Sequence, residues 1–108
     1  MVNDRIGEPL LQTIVQRLLV AGSPQKIILF GSQARGQADR DSDYDLLIIE
    51  KSSQPRYRRA MPYRRALKDL GTSKDIVVWT PSEIREWQNV SNAFITTVLR
   101  EGVVLYER

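Results

Sequence analysis

The sequence predicts a small α/β domain, and two observations carry that prediction. Apolar residues recur at helical spacing in some segments and form short consecutive runs in others. Glycine, proline and serine punctuate the boundaries, so helix and strand alternate along the chain instead of clustering by type. The 108 residues, 42% of them hydrophobic, suit one ordinary core and one domain over residues 1–108.

Across residues 8–21, Leu10, Leu11, Ile14, Val15, Leu18 and Leu19 follow the helical period, with Pro9 suited to the first turn and Gly22 to the stop. After the Gly22-Ser23-Pro24 break, Lys26-Ile27-Ile28-Leu29-Phe30 reads as a short buried strand. Gly31-Ser32 is then a tight turn, and Ser32 is placed to cap a short helix running to about Gln37. Residues 36–42 are polar loop. Residues 43–49 read as a second strand ending in Leu46-Leu47-Ile48-Ile49. A linker over 51–55 leads into a helix over 56–70 that offers Ala60, Met61, Ala66, Leu67 and Leu70 to the core. Pro62 must kink that helix or start it afresh. Gly71-Thr72 ends it, and 75–80 is a third strand. Pro81-Ser82-Glu83 opens a helix to about Trp87, residues 92–100 form another, and 103–106 make a final edge strand.

Two absences narrow the chemistry. With no cysteine, disulfides, thiolate metal sites and cysteine nucleophiles are excluded. With no histidine, the Ser-His-Asp triad, a histidine base and the usual zinc sites go too. A metal here is held by oxygen, which favours hard ions such as Mg2+ or Mn2+. The net charge of +3 suits a polyphosphate substrate or an acidic partner and gives no ground for direct DNA binding. No stretch is long and apolar enough for a membrane span, and the start, Met1-Val2-Asn3-Asp4-Arg5, has no signal-peptide pattern. A cytoplasmic protein is the expectation.

The informative segment is Gly31-Ser32-Gln33-Ala34-Arg35-Gly36, a loop, then Ser42-Asp43-Tyr44-Asp45-Leu46. Residues two apart on a strand share a face, so Asp43 and Asp45 project together and Tyr44 faces the other way. Adjacent carboxylates repel unless a cation intervenes. If the strand opening at Asp75 lies beside theirs, it brings a third carboxylate to the same rim, and three acids with phosphate oxygens are the usual way to hold magnesium over a transferring phosphoryl group. Gly31-Ser32 supplies backbone amides and a hydroxyl for phosphate, with the following helix N-terminus behind them. The GxxxxGK[ST] spacing of a P-loop is absent. Any single member of the series Asp39, Asp41, Asp43 and Asp45 reads equally as a solvated loop residue. The assembled spacing does not.

These motifs resemble the minimal nucleotidyltransferases of the DNA polymerase β superfamily, whose pattern is Gly-Ser-x-Ala-x-Gly, a short loop, Ser-Asp-x-Asp-Leu, and a third Asp on a later strand. Gly31, Ser32, Ala34, Arg35 and Gly36 match the first part, Ser42, Asp43, Asp45 and Leu46 the second, and Asp75 in Lys74-Asp75-Ile76-Val77-Val78 the third. The ending Leu99-Arg100-Glu101-Gly102-Val103-Val104-Leu105-Tyr106 is similar to theirs as well. The resemblance implies a polymerase-β-like fold, a small mixed β-sheet with helices packed on it. It implies catalytic and metal-binding roles for Asp43, Asp45 and Asp75, with Asp75 an alternative base toward the acceptor hydroxyl. Gly31, Ser32 and Arg35 fall to the nucleotide, with ATP as substrate and Mg2+ or Mn2+ as cofactor.

Many proteins of this kind are antitoxins paired with a small helical HEPN toxin, and are thought to silence it by attaching AMP to a tyrosine. The resemblance therefore implies a HEPN-type partner, and homo- or hetero-oligomers are compatible with it. Two other readings stand beside it: a binding module that neutralises its partner by contact alone, and a transferase for a small hydroxylated molecule. Arg56, Arg58, Arg59, Arg64, Arg65 and Lys68 read as a solvated helix face or as a surface for an acidic partner. Trp79, Trp87, Tyr57, Tyr63 and Tyr106 are expected in the core or at its rim.

Overall fold

The protein is described by a computed structural model covering residues 8–36, 43–71, 74–91 and 93–108. Helix α1 (Pro9–Ala21) leads into strand β1 (Lys26–Phe30), helix α2 (Gly31–Arg35) and strand β2 (Tyr44–Ile49). Helices α3 (Arg56–Arg59) and α4 (Met61–Leu67), with a 3-10 turn at Lys68–Leu70, cross over to strand β3 (Lys74–Trp79). Helices α5 (Pro81–Trp87) and α6 (Phe94–Glu101) and strand β4 (Val103–Glu107) complete the chain. The strands form one four-stranded sheet in the order β3-β2-β1-β4. β1 runs antiparallel to β2 and β4, whereas β2 and β3 are parallel, so the sheet is mixed.

Strand alternation divides the core between the two sheet faces. Ile27, Leu29, Tyr44, Leu46, Ile48, Ile76 and Val78 meet Leu11, Ile14 and Leu18 of α1 and Tyr63 and Leu67 of α4. On the other face Ile28, Leu47, Ile49 and Trp79 meet Ile84 of α5 and Ile95 and Val98 of α6. Each buried aliphatic side chain contributes about 1.5–3 kcal/mol, and a one-residue slip of β2 would turn that set outward.

The strands fall where the sequence places them, with β4 at one edge. Some local expectations need correction. Ser32 does not cap α2: the cap position is Phe30, without a side-chain bond, because the positive φ of +76° at Gly31 starts the helix directly off β1. The helix expected over 56–70 starts afresh at Met61 after a break at Ala60, which is one of the two outcomes foreseen for Pro62. Met61 is 42% exposed and leaves its place in the core to Tyr63, which is 1% exposed. Tyr57 and Trp87 are also exposed, whereas Trp79 is buried. Thr72, Asn92 and the loop residues Asp39, Asp41 and Ser42 lie outside the described residues.

Candidate active site

The site is set by the phase of β2. Tyr44 is buried beneath α1 and α4, which fixes Asp45 on the opposite face, together with Leu47 and Ile49. Asp43, one residue ahead of the strand, is exposed on the rim. In the parallel pairing of β2 with β3, Asp45 lies directly beside Asp75, and in the antiparallel pairing with β1 it lies beside Phe30. The last residue of β1 therefore delivers the following turn to the aspartates.

Gly31 makes that delivery possible. Its φ is +76°, a conformation side chains rarely adopt, and a Cβ there would run into the Oδ2 of Asp45. The backbone thus approaches the carboxylate more closely than any other residue would allow. Gly36, also left-handed at φ +70°, ends α2 after five residues. A helix this short has little dipole, so what it offers an anion is its first-turn amides and the hydroxyl of Ser32. Gln33, 4% exposed, buries α2 against the body of the protein.

Burial pushes the Asp45 carboxyl above the ordinary carboxylate range, and the negative charges of Asp75 and Asp43 push it further. Arg35 opposes the shift, so its guanidinium lies within electrostatic reach of the same carboxylate. The structure thus brings together Gly31, Arg35, Asp43, Asp45 and Asp75, with Ser32 in the first turn of α2. Among the described residues no three carboxylates are gathered tightly enough to form a finished metal cage. The donor set still fits a divalent cation. It is all oxygen, and the mutual repulsion at Asp45 is what a hard cation would relieve.

Beside the turn lies a pocket of about 270 Å³, walled by Phe30, Gly31 and Arg35 on one side and by Phe94, Thr97 and Glu101 of α6 on the other. Of these α6 residues, sequence reasoning quoted only Glu101, as part of the family-like ending, and gave it no place in the site. Their spacing of three and four along one helix face was the available signal. A larger groove of about 490 Å³ between α1 and α4 has no acid in its lining and stands apart from this chemistry.

Comparison with known proteins accords with this geometry. The model of the family described as "Nucleotidyltransferase domain" matches residues 10–100. A solved chain described as "Crystal structure of the toxin-antitoxin with AMP-PNP" superposes with a TM-score of 0.64, covering 90% of this chain and 73% of that one at 22% identity. At that identity the likeness speaks for the fold. Among curated proteins nothing matches. The family match spans most of the sequence and every residue of the site, and the chain belongs to the nucleotidyltransferase domain family.

Proposed function

We propose that this nucleotidyltransferase moves AMP from ATP to a tyrosine hydroxyl on a HEPN-type toxin, acting as its antitoxin. The observation that carries the reading is the juxtaposition of Asp45 and Asp75 on adjacent strands, with Gly31 packed against the Asp45 carboxylate. The toxin–antitoxin neighbour bound to AMP-PNP supports the choice of nucleotide and of partner.

In this reading Asp43 and Asp45 would hold Mg2+ or Mn2+, which when bound would neutralise the triphosphate and polarise the α-phosphate, leaving Asp75 free to act as base. Ser32, the amides of the first turn of α2, and Arg35 hold the phosphate tail. Asp75, at the open edge of the sheet, takes the proton from the acceptor hydroxyl. The acceptor oxygen bonds to the α-phosphorus, the bond to the β-phosphate oxygen breaks, and pyrophosphate leaves. Positioning and preorganised charge supply most of the rate.

The test is incubation with Mg2+ and ATP labelled at the α-phosphate, with and without a HEPN protein encoded beside this one. Label on the partner's tyrosine, lost in Asp45→Asn, is expected. Tight partner binding and full neutralisation by the Asp45→Asn protein, with no label transferred, would replace this reading with contact-only inhibition.

A further inference from the structure

Four residues of α6 form one stripe at positions i, i+3, i+4 and i+7: Phe94, Thr97, Val98 and Glu101. Val98 turns into the core, but Phe94 remains 48% exposed despite its edge-to-face contact with Phe30, whose ring centroid is 5.4 Å away. The Trp79 ring also lies against Phe94, with centroids 6.3 Å apart. An aromatic ring fixed by two others yet half open to solvent is a rigid platform with a free surface. It lines the pocket of about 270 Å³ that also includes Gly31, the residue packed against Asp45. Farther along the stripe a hydroxyl and a carboxylate follow, one helical turn apart.

We propose that this pocket takes the nucleobase of the triphosphate and selects purines carrying an exocyclic amine. The inference rests on the nucleotidyl-transfer reading and deepens it by naming what fixes the base. Phe94 supplies the stacking surface, which tolerates any ring. Selection comes from the polar pair. The Glu101 carboxylate accepts the exocyclic amine N–H, and the Thr97 hydroxyl donates to a neighbouring ring nitrogen, N1 of adenine or N3 of guanine. A base that offers no amine forgoes that bond, which is where discrimination arises. Gly31 lines the pocket and packs against Asp45, so a base seated there has its phosphates within reach of Ser32 and the aspartate rim.

Equilibrium binding of ATP, GTP, ITP and UTP in the presence of Mg2+ tests this, with inosine differing from guanosine only in the missing amine. Wild-type protein is expected to bind ATP and GTP about tenfold more tightly than ITP or UTP. Phe94→Ala should weaken every nucleotide about tenfold, and Phe94→Trp should restore binding, which separates stacking from a folding defect. Glu101→Ala should bring ITP level with GTP while leaving ITP affinity unchanged. If wild-type protein binds triphosphates with equal affinity whatever the base, and both alanine variants match it, the pocket does not hold the base. The nucleotidyl-transfer reading survives that result. If no triphosphate binds at all, both fall together.

Discussion

The two ends of β2 and β3 treat their carboxylates in opposite ways. At the far end, Glu50 follows β2 and accepts hydrogen bonds from the Ser23 N–H at 2.9 Å and from the Tyr63 hydroxyl. Glu83, in the first turn of the helix after β3, accepts from Arg59 at 2.8 Å and from the Thr80 N–H at 2.9 Å, and closes a capping box. Burial alone would raise Glu83, yet these bonds and the charges of Arg59 and Arg56 hold it down to about 2. At the near end burial and like charges push Asp45 the other way. One end uses its acids to hold the chain in place. The other leaves them crowded together, and so carries electrostatic strain that folding alone does not require and that the proposed function would use for a ligand.

The sharpest way to break this contrast is to neutralise one acid at the strained end. Asp45→Asn should lower nucleotidyl transfer by about 10³-fold or more, because it removes a charged ligand of the proposed metal ion. The same change removes repulsion with Asp75 and Asp43, so thermal stability should hold or rise. The sign follows from the raised carboxyl: the folded protein binds that proton more tightly, so ionisation of Asp45 works against folding as pH rises. A variant that loses activity and melting temperature together would show that Asp45 is structural.

Gly31→Ala probes the same end through the backbone. The new Cβ would strike the Asp45 carboxylate and the left-handed φ would be strained, at a cost of about 1–3 kcal/mol. Displacing the turn from the aspartates should also lower transfer about 10²-fold. Gly36→Ala serves as the control. It shares the left-handed φ but meets nothing within 4 Å, so it should cost stability with a much smaller effect on transfer. Urea titration and the label-transfer assay separate the two.

The satisfied end predicts the reverse pattern. Glu83→Gln should destabilise the fold by about 2 kcal/mol, because the Arg59 side chain, 9% exposed, loses its charged partner. Nucleotide affinity should not change. The pH dependence has a definite sign. A carboxyl lowered from 4.5 to about 2 contributes stability that is fully present above pH 4.5 and is lost as pH falls through about 2. The gap between wild-type and Glu83→Gln proteins in urea titrations should therefore stay constant near neutrality and close in acid.

The strained end was more legible in the sequence than the satisfied one. Asp43, Asp45 and Asp75 announce themselves because strand periodicity fixes their faces and a short apolar run fixes each strand. The outcome at Tyr44, buried opposite Asp45, follows from the same rule. The satisfied end depends on contacts between distant segments, such as Arg59 with Glu83 and Tyr63 with Glu50, which no local pattern encodes. Arg59 therefore read as one more member of a basic face, although its Nε and Nη1 also bond the carbonyls of Gln54 and Val78. Met61, expected inside, lies exposed for a related reason. The break at Ala60 resets the helical phase, and pattern reading across Pro62 had no means of seeing the new one.

Tyr63 gives the smallest of these effects and the most specific test of the satisfied end. Its ring is fully buried against α1 and the sheet, so Tyr63→Phe keeps the packing and removes only the hydroxyl. Glu50 would then retain the Ser23 N–H as a partner, and the loss should be about 1 kcal/mol. Burial and the Glu50 carboxylate both raise the phenol well above its ordinary value of 10.0. The folded protein therefore keeps this proton after the unfolded chain has lost it, and the stabilisation declines as pH climbs above 10. The wild-type advantage over Tyr63→Phe should accordingly be constant near neutrality and shrink in alkali, opposite in direction to the Glu83 gap. An advantage that grew in alkali would mean that the tyrosine is ionised in the fold, and the Glu50 contact would need another explanation.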